Sequence, residues 1–196
     1  ASDVYKRQSL SDVNLTNVPD GALVSSYLQG AGGAVAILGG LDDKPAEIKA
    51  NGGATPVAFP YSDYGVNQVG YCISTHQDTL KNNPGLVERF VRATMVAYKE
   101  TEKNPDAAVN SMADIVGGTM AEKSGKEQAR SVLDVTLGIL YSKANTNRTM
   151  GLHVDSDWAD MLGLMKKFND LQTSKSASDF YTNQFINCLL YTSDAA

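Results

Sequence analysis

Two stretches of the 196-residue chain gather groups able to hold a small molecule. The first is Asp42-Asp43, which follows the apolar run AVAIL at 34–38. In an open α/β sheet the ligand crevice forms beyond the C-terminal ends of buried strands. Carboxylates there would take an amine, an amidine-like heterocycle or a ligand hydroxyl. The competing reading is that both acids cap and charge-complement the next helix, since acids favour a first turn. The second stretch is YSDYG at 61–65. Tyr61 and Tyr64 would sandwich a planar ligand while Asp63 and Ser62 hydrogen-bond its edge. An ordinary turn with partly buried tyrosines is the alternative.

Signals for catalysis are poor. The two histidines, His76 and His153, are far apart and have no second ligand at a metal spacing, so each reads as a solvated or capping residue. No nucleophile elbow, Walker lysine loop or Cys-x-x-Cys pair occurs. GAGG at 30–33 lacks the spacing of a phosphate loop and reads as a turn. Cys72, inside the strand-like VGYCIST, reads as a small buried hydrophobe, and Trp158 as a core residue of a helix. The expectation is a non-enzyme with no catalytic residue, no metal ligand and no cofactor.

Charge narrows the partners. Lys and Arg number 17 against 22 Asp and Glu, a net charge of −5, and the basic residues form no cluster. Nucleic acid is therefore not an expected partner. No apolar run approaches the ~20 residues of a membrane-spanning helix. Both ends look foreign to the rest. Residues 1–8 can be encoded by GCG TCA GAT GTG TAT AAG AGA CAG, and the complementary strand, shifted by one base, encodes Cys188 to Asp194. One DNA word read on both strands thus accounts for 1–8 and 188–196, and it resembles a sequencing adapter; both segments are set aside.

Between them, the elements that must position the candidate groups change in character along the chain. Residues 12–18, 34–38 and 55–59 read as strands and 19–30 and 42–53 as helices, with Leu23, Tyr27 and Leu28 on one face of the first. Strand, helix, strand, helix, strand points to a parallel sheet with right-handed crossovers. A turn-rich connector at 60–68 leads to a last strand at 69–75. Helices follow. One starts at Asn83-Pro84 with Leu86, Phe90, Val91, Thr94, Ala97 and Tyr98 on one stripe, and another at Asn104-Pro105. A third spans 124–142. A fourth starts at an Asp155 cap, with Trp158, Met161, Leu162, Met165, Phe168 and Leu171 aligned, and a short one covers 178–186. Helices of this kind need a sheet to cover. The layout therefore reads as the C-terminal part of a two-lobed protein, with both native ends as internal breaks.

GATPVAFPYSDYGVNQVGYCIST (53–75), the NNPGLVERFVRATMVAYKETEKNPDAAV helix pair, DWADMLGLMKKFNDL and DFYTNQFI together closely resemble the C-terminal half of type II solute-binding proteins of ABC importers. The subgroup is the one handling thiamine pyrimidine precursors, taurine, other sulfonates and nitrate. The resemblance covers 12–187 and implies a type II periplasmic-binding-protein fold of two α/β lobes. Here that fold is truncated: the N-terminal half of lobe 1 and the start of lobe 2 are missing. Residues 9–60 would be partial lobe 2, 61–68 the hinge and 69–187 the mainly helical return into lobe 1.

The function so implied is capture of a small polar solute (a pyrimidine precursor, amine, sulfonate or nitrate) in an interlobe cleft. Asp42, Asp43, Tyr61, Asp63 and Tyr64 would face the ligand. The partners would be the transmembrane subunits of an ABC permease. The location would be periplasmic or on the cell surface as a lipoprotein, with membrane contact only through the permease or a lost N-terminal anchor. A thiamine pyrimidine-precursor synthase on the same scaffold is the alternative, and a regulatory effector domain a weaker one. The helices at 84–99, 125–141 and 156–171 should leave apolar stripes exposed beside strand 69–75, and the chain by itself should fold poorly.

Overall fold

Proline and asparagine punctuate the helices where the sequence places them. The computed structural model describes residues 12–186, so the readings of 1–8 and 188–196 lie outside the described residues. The chain divides into two units, Ala1–Val57 and Ala58–Ala196.

Within the described part of the first unit, helices α1 (Asp20–Leu28) and α2 (Lys44–Ala50) pack through Val24 and Ile48, both buried. Pro45 sits in the first turn of α2, where its missing N–H costs nothing. Asn51 ends that helix and Gly52 turns the chain at φ 82°, a left-handed conformation that favours glycine. The next residue, Gly53, lies so close to α1 and α2 that an added Cβ would stand 2.6 Å from Ile48 Cγ2 and 2.7 Å from Leu28 Cδ2. The apolar face of α1 is centred on Val24, with Leu23 and Tyr27 half-buried beside it and Leu28 exposed.

The second unit holds α3 (Gln77–Asn82), α4 (Pro84–Lys103), α5 (Pro105–Val116), α6 (Lys123–Ile139) and α7 (Asp155–Phe168). Asn104 Oδ1 caps α5 by accepting from the Ala107 N–H at 3.0 Å. Val87, Val91 and Met95 of α4 form the core with Met150 and Ile186, packed by Leu80, Leu140, Tyr141 and Phe185. Val109 and Ala113 of α5 are also buried, and α5 packs against both α4 and α6.

Four expectations change. Among the described residues there is no β-strand: 12–18, 34–38, 55–59 and 69–75 run as irregular chain. Composition marks which segments suit a strand, but a strand exists only when a neighbour takes its backbone N–H and C=O groups. Without one, Val35 is 90% and Tyr71 99% exposed. For the same reason Cys72 is exposed rather than buried.

The second change is in α4, which carries two apolar stripes. The chain buries Val87, Val91 and Met95, leaving Leu86, Phe90 and Tyr98 of the expected stripe exposed. Third, Val154 occupies the cap position of α7, and Asp155 and Asp157 lie in its first turn, favourable for the helix dipole. Fourth, 178–186 is not a helix. Ser176 and Asp179 close a reciprocal capping box around the single 3-10 turn Ala177–Asp179, and the Tyr-Thr-Asn run that follows has low helix propensity.

Candidate functional site

The loop before α2 is built around a buried lysine. Lys44 Nζ lies 3.0 Å from Asp20 Oδ1 at the start of α1, 3.3 Å from Asp43 Oδ2 and 3.3 Å from Glu47 Oε2. The Asp20 hydrogen bond, followed by those to Asp43 and Glu47, raises the Lys44 pKa well above the ordinary lysine range. Two glycines make room for this arrangement. A Cβ on Gly39 would meet Lys44 Cγ at 2.6 Å, and one on Gly40 would meet Asp42 Oδ1 and Asp43 Oδ1, each at 2.6 Å. Both carboxylates therefore crowd the same face of Gly40. Asp43 holds the N-cap position of α2 but makes no side-chain capping bond. Its Oδ2 serves Lys44, and its Oδ1 is buried with no hydrogen-bond partner.

Tyr61, Asp63 and Tyr64 belong to the second unit, in the 3-10 turn Tyr61–Tyr64. Backbone bonds from Asp63 N to Pro60 O (3.0 Å) and from Val66 N to Tyr61 O (3.0 Å) frame the turn. Gly65 closes it at φ 79°. The side chains of Tyr61, Ser62, Asp63 and Tyr64 are all exposed and take part in no hydrogen bond among the described residues. The tyrosines are thus free rings on a fixed turn rather than partly buried ones.

The two histidines differ. His76 behaves as expected: its Nδ1 caps α3 by accepting from the Asp78 N–H at 3.2 Å. His153 is instead half-buried among rings, 5.5 Å from both Trp158 and Tyr181. A second polar knot ties α4 to the loop after α6. Tyr141 Oη donates to Glu102 Oε2 at 2.9 Å, and Arg148 Nη2 donates to Glu102 Oε1 at 3.3 Å. The Arg148 guanidinium also lies 4.2 Å from the Tyr141 ring centre. Burial, with the Glu102 bond second, pushes the Tyr141 hydroxyl up to about 12.

Sequence reasoning gave no weight to Lys44, and missed Asp20, Glu47 and the Gly39-Gly40 pair. The signal was present: a lysine at the first helical position with an acid three residues on, directly after Gly-Gly-Leu-Asp-Asp.

A comparison with known families matches residues 5–108 to the family described as NMT1/THI5 like. The chain belongs to the NMT1/THI5-like family. The match takes in α1, α2, the loop carrying Asp42 and Asp43, the 61–64 turn and α3 to α4, ending within α5. No curated protein matches the chain. No solved structure matches it either. The NMT1/THI5-like family includes both solute-binding proteins of ABC importers and THI5 synthases. Among the described residues no helix is long and apolar enough to cross a membrane.

The lysine network makes a direct prediction. Replacing Lys44 by methionine leaves Asp20, Asp43 and Glu47 without their shared cation, and removing one partner of a buried ion cluster is strongly destabilising. Lys44→Met should lower the thermal midpoint at pH 7, and Lys44→Arg should recover part of the loss. Because the folded pKa is raised, the lysine's contribution is complete below its unfolded value of 10.5. It is lost only as pH rises through the higher folded value. A Lys44→Met chain that melts like the parent by far-UV circular dichroism would show that the network carries no stability.

Proposed function

We propose that this chain is the solute-binding component of an ABC importer, and that Asp42 and Asp43 take the N–H or hydroxyl donors of a small polar organic solute. The observation that carries this is the unpartnered, buried Oδ1 of Asp43 beside the Asp42 carboxylate. A buried acceptor without a donor costs about 1–3 kcal/mol. A ligand amine, amidine or hydroxyl would recover that cost. The same two carboxylates disfavour anions, so sulfonates and nitrate rank below amines and pyrimidine precursors. Tyr61, Asp63 and Tyr64 are a second set of ligand-facing groups, with rings free to stack on a planar solute.

The resemblance implies that such a synthase would draw on a histidine of its own chain, and transport is favoured because both histidines have structural work: one caps α3 and the other is enclosed by Trp158 and Tyr181. The partners are then the transmembrane subunits of a permease, and the location is the periplasm or the cell surface.

The proposal includes the two-lobed α/β architecture. On it, 34–38 and 55–59 are strands of one lobe and 69–75 is a strand of the other, covered by the outer stripe of α4. The exposed Val35, Tyr71 and Phe90 support this.

Thermal shift with a panel of amines, pyrimidines, sulfonates and nitrate tests the function. A true ligand at a hundredfold excess over Kd should stabilise the protein by about 2.7 kcal/mol. Asp43→Asn should abolish the shift for amines and pyrimidines. A panel that moves nothing, or an Asp43→Asn chain that responds unchanged, would overturn the reading.

A further inference from the structure

The loop before α7, the first turns of α7 and the segment after the 177–179 turn meet at one histidine. Trp158 Nε1 donates to His153 Nδ1 at 3.2 Å. Tyr181 stacks on Trp158 with centroids 5.6 Å apart and an interplanar angle of 19°. Asn183 brackets the His153 backbone, accepting from its N–H at 2.9 Å and donating to its carbonyl at 2.8 Å. Residues 181–183 are thus held to α7 through His153, Trp158 and Asn183.

This arrangement has one protonation state built into it. To accept the indole N–H, Nδ1 must be bare, so the ring is neutral with its proton on Nε2. A second proton would place an N–H against an N–H. The titratable groups around the ring offer little to hold an imidazolium. Asp155, in the first turn of α7, accepts from the Tyr181 hydroxyl at 3.4 Å, and Asp179 accepts from Ser176 N and Oγ at 2.7 and 2.9 Å. Asp157 is half-buried in the same turn of α7. Among the described residues no carboxylate stands within ion-pairing reach of His153, whereas His76 has Asp78 at 3.2 Å.

We infer that His153, Trp158 and Tyr181 form a pH-operated latch, closed with a neutral His153, whose protonation releases residues 181–183 from α7. The inference is independent of the proposed function. Burial lowers the His153 pKa from 6.5, in the direction the geometry requires. The sign follows from that depression. The latch contributes fully above the unfolded histidine value, and the contribution is lost as pH falls through the lower folded one.

Trp158 is the sole tryptophan of the chain, so its emission reads the latch without interference. An imidazolium beside an indole quenches it. Emission of the full chain, followed from pH 8 to 4.5 alongside far-UV circular dichroism, should fall with a midpoint below 6.5 before helicity changes. His153→Asn should flatten that titration. Hydrogen exchange of the peptide 180–186, corrected for the intrinsic pH dependence of exchange, should show protection lost across the same range in the parent only. If His153→Asn does not fold, Trp158→Phe serves instead. It removes the donor, so the His153 imidazole resonance in the proton spectrum should titrate at a higher pH than in the parent. Emission that is flat in the parent, a titration that survives in His153→Asn, or exchange indifferent to pH would each overturn the latch. So would a His153 midpoint unmoved by Trp158→Phe.

Discussion

Gly151→Ala should destabilise the second unit by about 2–5 kcal/mol, combining a left-handed backbone cost of roughly 1–2 with an overpacking cost of roughly 1–3. Gly151 has φ 73°, a conformation that alanine adopts only with strain. The space is also taken. An added Cβ would stand 2.6 Å from Met95 Sδ and 3.0 Å from Ile186 Cδ1. Methionine normally yields to such pressure, but Met95 is buried in the cluster with Val87, Val91, Met150 and Ile186, which leaves it little room. A double-mutant cycle separates the two causes. Adding Met95→Ala removes the sulfur contact, so the pair should cost less than the sum of the single changes in urea melts. Strict additivity would mean that Gly151 is not pressed against Met95. The residue matters beyond packing, since it begins the loop that delivers His153 to Trp158.

Which parts of this were readable in advance follows from how local each signal is. The starts of α4 and α5 were legible because Asn-Pro writes the cap and first turn into adjacent residues. The exit of α2 at Asn51-Gly52 was legible for the same reason. The strands were not: AVAIL and VGYCIST describe a preference, while a strand depends on a neighbour that no local pattern contains. The α4 stripe shows a third case. Both of its apolar stripes have helical period, and only tertiary packing selects Val87, Val91 and Met95 over Leu86 and Phe90. At the candidate site, Asp42, Asp43 and the 61–64 turn were legible by residue type. The role of Lys44 was not, because its partner Asp20 lies 24 residues away and periodicity carries no information at that range. His153 was misread for the same reason. Its partners Tyr181 and Asn183 belong to a segment expected to be helical, which would have aimed those side chains elsewhere.

The purified chain should associate rather than stay monomeric, and it should do so through residues whose replacement costs it no stability. Phe90 is 58%, Ile115 85% and Phe168 68% exposed, on α4, α5 and α7. Covering one such side chain is worth roughly 1.5–3 kcal/mol, against a total stability of about 5–15 kcal/mol for a typical domain. Apolar groups left uncovered on that scale favour self-association. Sedimentation should show concentration-dependent species, and a dye that fluoresces on apolar surface should bind. Phe90→Ser with Ile115→Ser should reduce both signals. Neither side chain is packed in this chain, so the melting free energy should change by no more than about 0.5 kcal/mol. The two alternatives separate cleanly. If the stripes are packed within the chain in solution, the double substitution lowers stability and leaves association unchanged. If they are faces shaped for a sheet, as the proposed α/β architecture requires, association falls while stability holds. A parent chain that is monomeric and melts cooperatively at every concentration would count against that architecture, because its helices would then need nothing further to cover them.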